Sequence, residues 1–134
     1  MPEPSPKVLA RFRKLIGQYH AECEELTRVL AALEAAGLRT YSVKKVERTH
    51  YLLERYLELL DRDEFGSETI GTLVEQFEDG RLSSYGPDDA FERPSGRAIA
   101  QMRKVEAAWT HLHTYVFGLD ADPIDADPIE VDNG

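Results

Sequence analysis

A chain of 134 residues, 42% of them hydrophobic and one of them Cys, can bury a single core without disulfides or a structural metal. Its 16 basic and 25 acidic side chains leave a net charge of −9, which repels phosphate backbones and makes nucleic acid an unfavourable partner. No apolar run is long enough for a membrane span, MPEPSPKVLARFRK lacks the apolar stretch of a signal peptide, and a lone thiol suits a reducing compartment, so a cytoplasmic protein is expected.

The first helix is expected over 6–36. Ser5 is its cap, and Pro6 fits the first helical position, where a missing N–H costs nothing. Val8, Phe12, Leu15, Tyr19, Leu26, Val29 and Leu33 recur at three-to-four spacing, with Leu9, Ile16, Cys23 and Leu30 widening the stripe. Glu22 interrupts it, and Cys23 is expected to fill that layer. Gly37 supplies the stop.

Ser42 is a candidate cap for a second helix over 43–62. Val43, Val46, His50, Leu53, Leu57 and Leu60 make one seam, and Leu52, Tyr56 and Leu59 make another. A helix apolar on two faces is sandwiched between neighbours or lies at a subunit interface, so the second seam is the candidate surface for a homodimer. The short connection 38–41 makes the first two helices antiparallel.

Ser67 is a candidate cap for a shorter helix with the face Ile70, Leu73, Val74 and Phe77, stopped at Gly80. The stretch 81–96, with three Ser, two Gly and two Pro, has no sustained period and reads as a loop, with Tyr85 and Phe91 as candidate anchors. The last helix, about 96–117, runs through Ala98, Met102, Val105, Trp109, Leu112 and Val116 and is expected to stop at Gly118. The fold class is therefore all-α: a small antiparallel bundle of three longer helices and one short one, over 1–118.

Residues 119–134 hold six acids and no base, and Asp120-Ala-Asp-Pro-Ile124 repeats as Asp125-Ala-Asp-Pro-Ile129. Two prolines among repeated acids disfavour helix and packed strand, so a disordered acidic tail is expected. Charge divides unevenly along the chain: 1–50 hold nine bases against six acids, and 51–134 hold seven against nineteen. Lys7, Arg11, Arg13, Lys14, Lys44, Lys45 and Arg48 carry most of the basic half, with no interleaved aromatics for stacking on bases. They read first as solvated helix faces; the second possibility is that the basic half receives an acidic segment, from a partner or from the tail.

The most specific local pattern is Glu47-Arg-Thr-His50 followed by Glu54, which puts carboxylates and an imidazole on one helix at metal-ligand spacing. Those residues resemble half of a ferritin-like di-iron site. The resemblance implies iron, or zinc in a simpler site, with a second copy of the chain supplying the other half and Glu22, Glu24 or Glu25 as further ligands. The plainer alternative is a core-edge histidine hydrogen-bonded to Glu47 or Glu54. Arg13 and His20 give an R-x6-H spacing that resembles the Arg–His pair of all-helical HEPN ribonucleases, implying an Arg that polarises phosphate and a His that assists proton transfer. His20 also precedes Cys23 by one turn, the spacing of a Cys–His pair, although Cys23 on the apolar stripe reads as an inert buried thiol. His111 and His113, in H-L-H spacing, point in different directions around the last helix and read as ordinary polar positions, with His113 beside the Trp109 seam as the alternative.

No phosphate loop, nucleophile elbow or paired C-x-x-C is present, so a non-enzymatic role leads and no cofactor is called for. The first functional reading is a protein-interaction module, an adaptor, chaperone or assembly factor with a protein partner. Its contact elements are the seam Leu52, Tyr56 and Leu59, the 81–96 loop, and the tail residues Asp122, Pro123, Ile124, Asp127, Pro128 and Ile129. The second reading is a metal-binding bundle through Glu47, His50 and Glu54, completed at a dimer interface.

Overall fold

The structure, a computed structural model, describes residues 3–37, 43–85 and 96–121. Four helices and no strand occur among them: α1 (Pro6–Ala35), α2 (Val43–Asp61), α3 (Ser67–Glu78) and α4 (Gly96–Ala121). The all-α expectation holds. None of these helices is long and apolar enough to cross a membrane.

The start of α1 follows from its capping residues. The Ser5 hydroxyl accepts the Val8 N–H at 3.2 Å, and Pro6 opens the helix. At the other end Gly37 takes φ +82°, the left-handed geometry that ends a helix cheaply only at glycine. Gly80 does the same after α3.

The entry to α3 departs from expectation. Gly66, not Ser67, occupies the cap, and its N–H donates to the Thr69 hydroxyl at 3.2 Å. Glu3 takes over the remaining capping work: its carboxylate accepts from the Ser67 N–H at 3.3 Å and the Ser67 hydroxyl at 3.0 Å. A carboxylate there also complements the positive end of the helix. A Cβ at position 66 would lie 2.6 Å from Glu3 Oε1, so a larger residue there would require the exposed Glu3 side chain to shift.

α1 is the central element, packed along α2 and along α4. Arg13 meets Asp61 and His20 meets His50, so α2 runs antiparallel to α1. Phe12 meets Tyr115 and Glu22 meets Gln101, so α4 does too. α3 packs on α4, with Phe77 edge-on to Trp109 and to His113. His113 lies flat on Trp109 at 4.8 Å, so it flanks that seam rather than standing as an ordinary polar position. The core between these layers includes Phe12, Ile16, Tyr19, Leu26, Leu30, Leu53, Met102 and Leu112. Cys23 is buried within it while Glu22 beside it is half-buried, as the interrupted stripe suggested.

Two sequence expectations are corrected. α4 does not stop at Gly118 but continues to Ala121, and Leu119 is buried, so the bundle extends past residue 118. The seam of Leu52, Tyr56 and Leu59 is not an open face. Tyr56 is 5% exposed, donates its hydroxyl to Gln76 Oε1 of α3 at 2.6 Å and meets Phe65 edge-on, while Leu52 and Leu59 pack half-buried against the core. The Ser42 cap, Phe91 and the tail from Asp122 onward lie outside the described residues.

Candidate functional sites

The first site is a groove beside the start of α2. Spacing of three and four places Lys44, Arg48 and Tyr51 along one stripe, with Lys45, Glu47 and Leu52 at its edges. The opposite wall is the turn after α3, contributing Asp79, Gly80, Arg81, Ser83 and Tyr85. Together these residues line an open groove of about 830 Å³. Four cations face two carboxylates there, and Asp79 is already paired with Arg81 at 3.3 Å. Tyr51 is 57% exposed, an apolar surface at the lip of a basic groove.

The wall at 81–85 is irregular backbone, yet it is tied down by all three longer helices. Tyr19 of α1 donates to the Ser83 carbonyl at 2.6 Å, and Trp109 of α4 donates to the Leu82 carbonyl at 2.9 Å. Facing α2, the Tyr85 hydroxyl lies 2.7 Å from the Thr49 hydroxyl and donates to the Lys45 carbonyl at 2.7 Å. Tyr85 adopts φ +51°, a conformation uncommon for a bulky residue and held here by burial of its ring. The anchoring role expected of Tyr85 is thus met by the hydroxyl as well as the ring.

The second site lies between α1 and α2. His20 and His50 stack across the helix pair with ring centroids 4.0 Å apart and planes inclined by 28°. One ligand atom each from His20, Glu24 and His50 falls within 4.8 Å of the others. The Nε2 atoms of both rings are buried without a hydrogen-bond partner. Burial, then the neighbouring His50, hold His20 below the ordinary imidazole pKa, with Glu54 and Glu24 pulling weakly the other way.

Of Glu47, His50 and Glu54, the ligands that spacing suggested, His50 alone belongs to this cluster. Glu47 is exposed on the groove and is absent from this cluster. The face of His50 expected to meet a second chain meets α1 of its own chain instead. His20 was missed as a partner of His50. A signal was present, because His20-x3-Glu24 on α1 recurs as His50-x3-Glu54 on α2.

Of the other acids considered as ligands, Glu22 accepts from Gln101 Nε2 at 2.7 Å, and Glu25 pairs with Arg28 at 3.0 Å. The ribonuclease-like pair does not assemble. Arg13 is held by Asp61 at 2.6 Å and by the Leu60 carbonyl at 3.0 Å, while His20 is turned to His50. Nor does His20 activate Cys23, whose thiol burial, and secondarily Glu22, push up to about 12. No protein-family model matches the chain, and neither curated proteins nor solved structures gave a match.

Proposed function

We propose that the chain is a non-enzymatic protein-interaction module of a reducing compartment such as the cytoplasm, whose basic groove receives an acidic, extended segment of a protein partner. The observation that carries this reading is the groove itself, with Lys44, Lys45, Arg48 and Arg81 around an exposed Tyr51. Such a lining favours an acidic backbone-extended ligand that lays one apolar side chain on the tyrosine, and opposite charge speeds encounter. Anchoring of the 81–85 wall to α1, α2 and α4 supports it further, because a preformed wall loses little entropy on binding.

The tail is proposed as a second contact element. Ile124 and Ile129, each after Asp-Pro, form two weak copies of one motif that gain avidity on a partner with two sites. With Tyr56 inside the monomer, a homodimer through its seam would have only the half-exposed edges of Leu52 and Leu59 to bury.

Affinity capture from the native host tests the reading with three parallel baits: the full chain, Lys44→Glu/Arg48→Glu, and a chain ending at Ala121. The expected result is a partner held by the full chain and lost by the charge-reversed bait. Loss by the shortened bait as well would assign the tail its part. Identical protein sets on the full and charge-reversed baits would overturn the groove as the binding surface.

A further inference from the structure

The pair of H-x3-E sequences on α1 and α2 has no role in a peptide groove, and its geometry is that of a ligand set. In a helix, residues four apart lie one above the other on one face. His20 and Glu24 therefore share a face of α1, and His50 and Glu54 share a face of α2. Because the helices are antiparallel and the imidazoles meet, the two carboxylates are carried to opposite sides of the histidine pair.

We propose that His20, Glu24 and His50 bind a divalent transition-metal ion of the Zn²⁺ class, with the remaining position open to water. Three donor atoms within 4.8 Å already approach the required spacing. Metal–ligand bonds of roughly 2.0–2.2 Å in a tetrahedron put neighbouring ligand atoms about 3.4 Å apart, so rotation of one ring and the Glu24 side chain closes the set.

The donor chemistry selects the ion. Two imidazoles and one carboxylate suit zinc and its neighbours, whereas Ca²⁺ and Mg²⁺ require a shell of oxygens. Both Nε2 atoms are buried without a hydrogen-bond partner, a condition that a buried polar atom seldom tolerates and that coordination relieves.

What competes for the ligands is weak. Glu24 pairs with Arg28 at 3.3 Å, but both side chains are largely exposed, and exposed pairs of this kind contribute little. Arg28 keeps Glu25 as a partner at 3.0 Å when Glu24 turns inward. No second chain is required, which separates this site from the dimeric di-iron arrangement suggested by Glu47, His50 and Glu54.

Isothermal titration of the chelator-treated full chain with ZnCl₂ tests the proposal, with thermal unfolding followed in parallel. The expected result is one Zn²⁺ per chain and a Tm that rises with added metal. His20→Gln and His50→Gln should each weaken binding by more than about tenfold. Glu24→Gln should weaken it as well, and Glu47→Gln should leave it unchanged. Glu24 is exposed, so its variant keeps the fold and remains decisive even where a histidine variant does not fold. Absence of saturable binding, or wild-type affinity in Glu24→Gln or in either folded histidine variant, would overturn the site. Co²⁺ substitution adds a spectroscopic reading: intense visible bands of a tetrahedral complex support the ligand set, and an octahedral aquo spectrum at saturating protein counts against it.

Discussion

The Tyr19 hydroxyl, on a fully buried ring in α1, donates to the carbonyl of Ser83 at 2.6 Å, joining the longest helix to the irregular wall of the groove. Sixty-four residues of chain separate the two groups, so the bond closes the structure across α2 and α3. Tyr19→Phe keeps the ring packing and strands the carbonyl. The expected cost is about 1–3 kcal/mol, read as a lower urea midpoint at unchanged m-value. An m-value that falls with the midpoint would instead mean that the 81–85 wall had already come loose in the native state.

The bundle itself was legible in the sequence because helix periodicity, capping residues and glycine stops act locally. Ser5, Gly37 and Gly80 each do what their position suggested. The pairing of His20 with His50 was not legible. It depends on the register of α1 against α2, which is set by buried core layers such as Val46 and Leu53 and marked at the surface by Arg13 meeting Asp61. Local spacing favoured Glu47 as the companion of His50, yet Glu47 is one of the groove residues beside Lys44 and Arg48. Tyr56 misled for a related reason. An apolar stripe on α2 shows that something covers it, and only the fold identifies Phe65 and Gln76 as the cover.

Gln101 is 6% exposed, and its amide donates to both the Glu22 carbonyl at 2.9 Å and the Glu22 carboxylate at 2.7 Å. It thereby ties α4 to α1 at the layer where the apolar stripe is interrupted. Gln101→Leu removes both donors while keeping bulk, leaving a half-buried carboxylate without its partner. The expected loss is about 1.5–3 kcal/mol, measured by chemical denaturation. Glu22→Leu/Gln101→Leu should recover most of it, since two apolar groups of similar shape can replace a buried polar pair. A double variant as unstable as the single one would sink this account.

Cys23 is fully buried, and its thiol is pushed up to about 12 by desolvation and then by Glu22. The native protein should therefore resist iodoacetamide at pH 8, with modification appearing only at denaturant concentrations that unfold it. The same shift sets an alkaline limit. The native state holds the thiol proton that the unfolded chain releases above the ordinary value of 9.0, so the contribution of this group is constant below that pH and declines from there toward 12. Tyr19 and Tyr56, both raised by burial, extend the decline above 10.0. Cys23→Ala should delay its onset to the tyrosine range, a comparison that thermal unfolding at pH 8, 9 and 10 makes directly. Rapid modification of native protein would mean that the α1–α4 layer opens readily.

Gly17 and Gly118 offer a final pair of measurements, because both lie inside helices and a Cβ at either would meet nothing within 4 Å. Neither has the positive φ that makes Gly37 and Gly80 necessary. Replacing glycine by alanine in a helix interior removes backbone freedom from the unfolded chain, so each substitution should stabilise by about 0.5–1 kcal/mol. Gly17→Ala is the internal standard, since α1 continues for many residues on either side. Gly118→Ala decides between the two ends considered for α4. A gain matching that of Gly17→Ala means that the helix carries through to Ala121 and that the buried Leu119 belongs to it. Were α4 to stop at Gly118, as the sequence alone suggested, the glycine would sit at the helix end in a left-handed conformation, and alanine there would destabilise the protein.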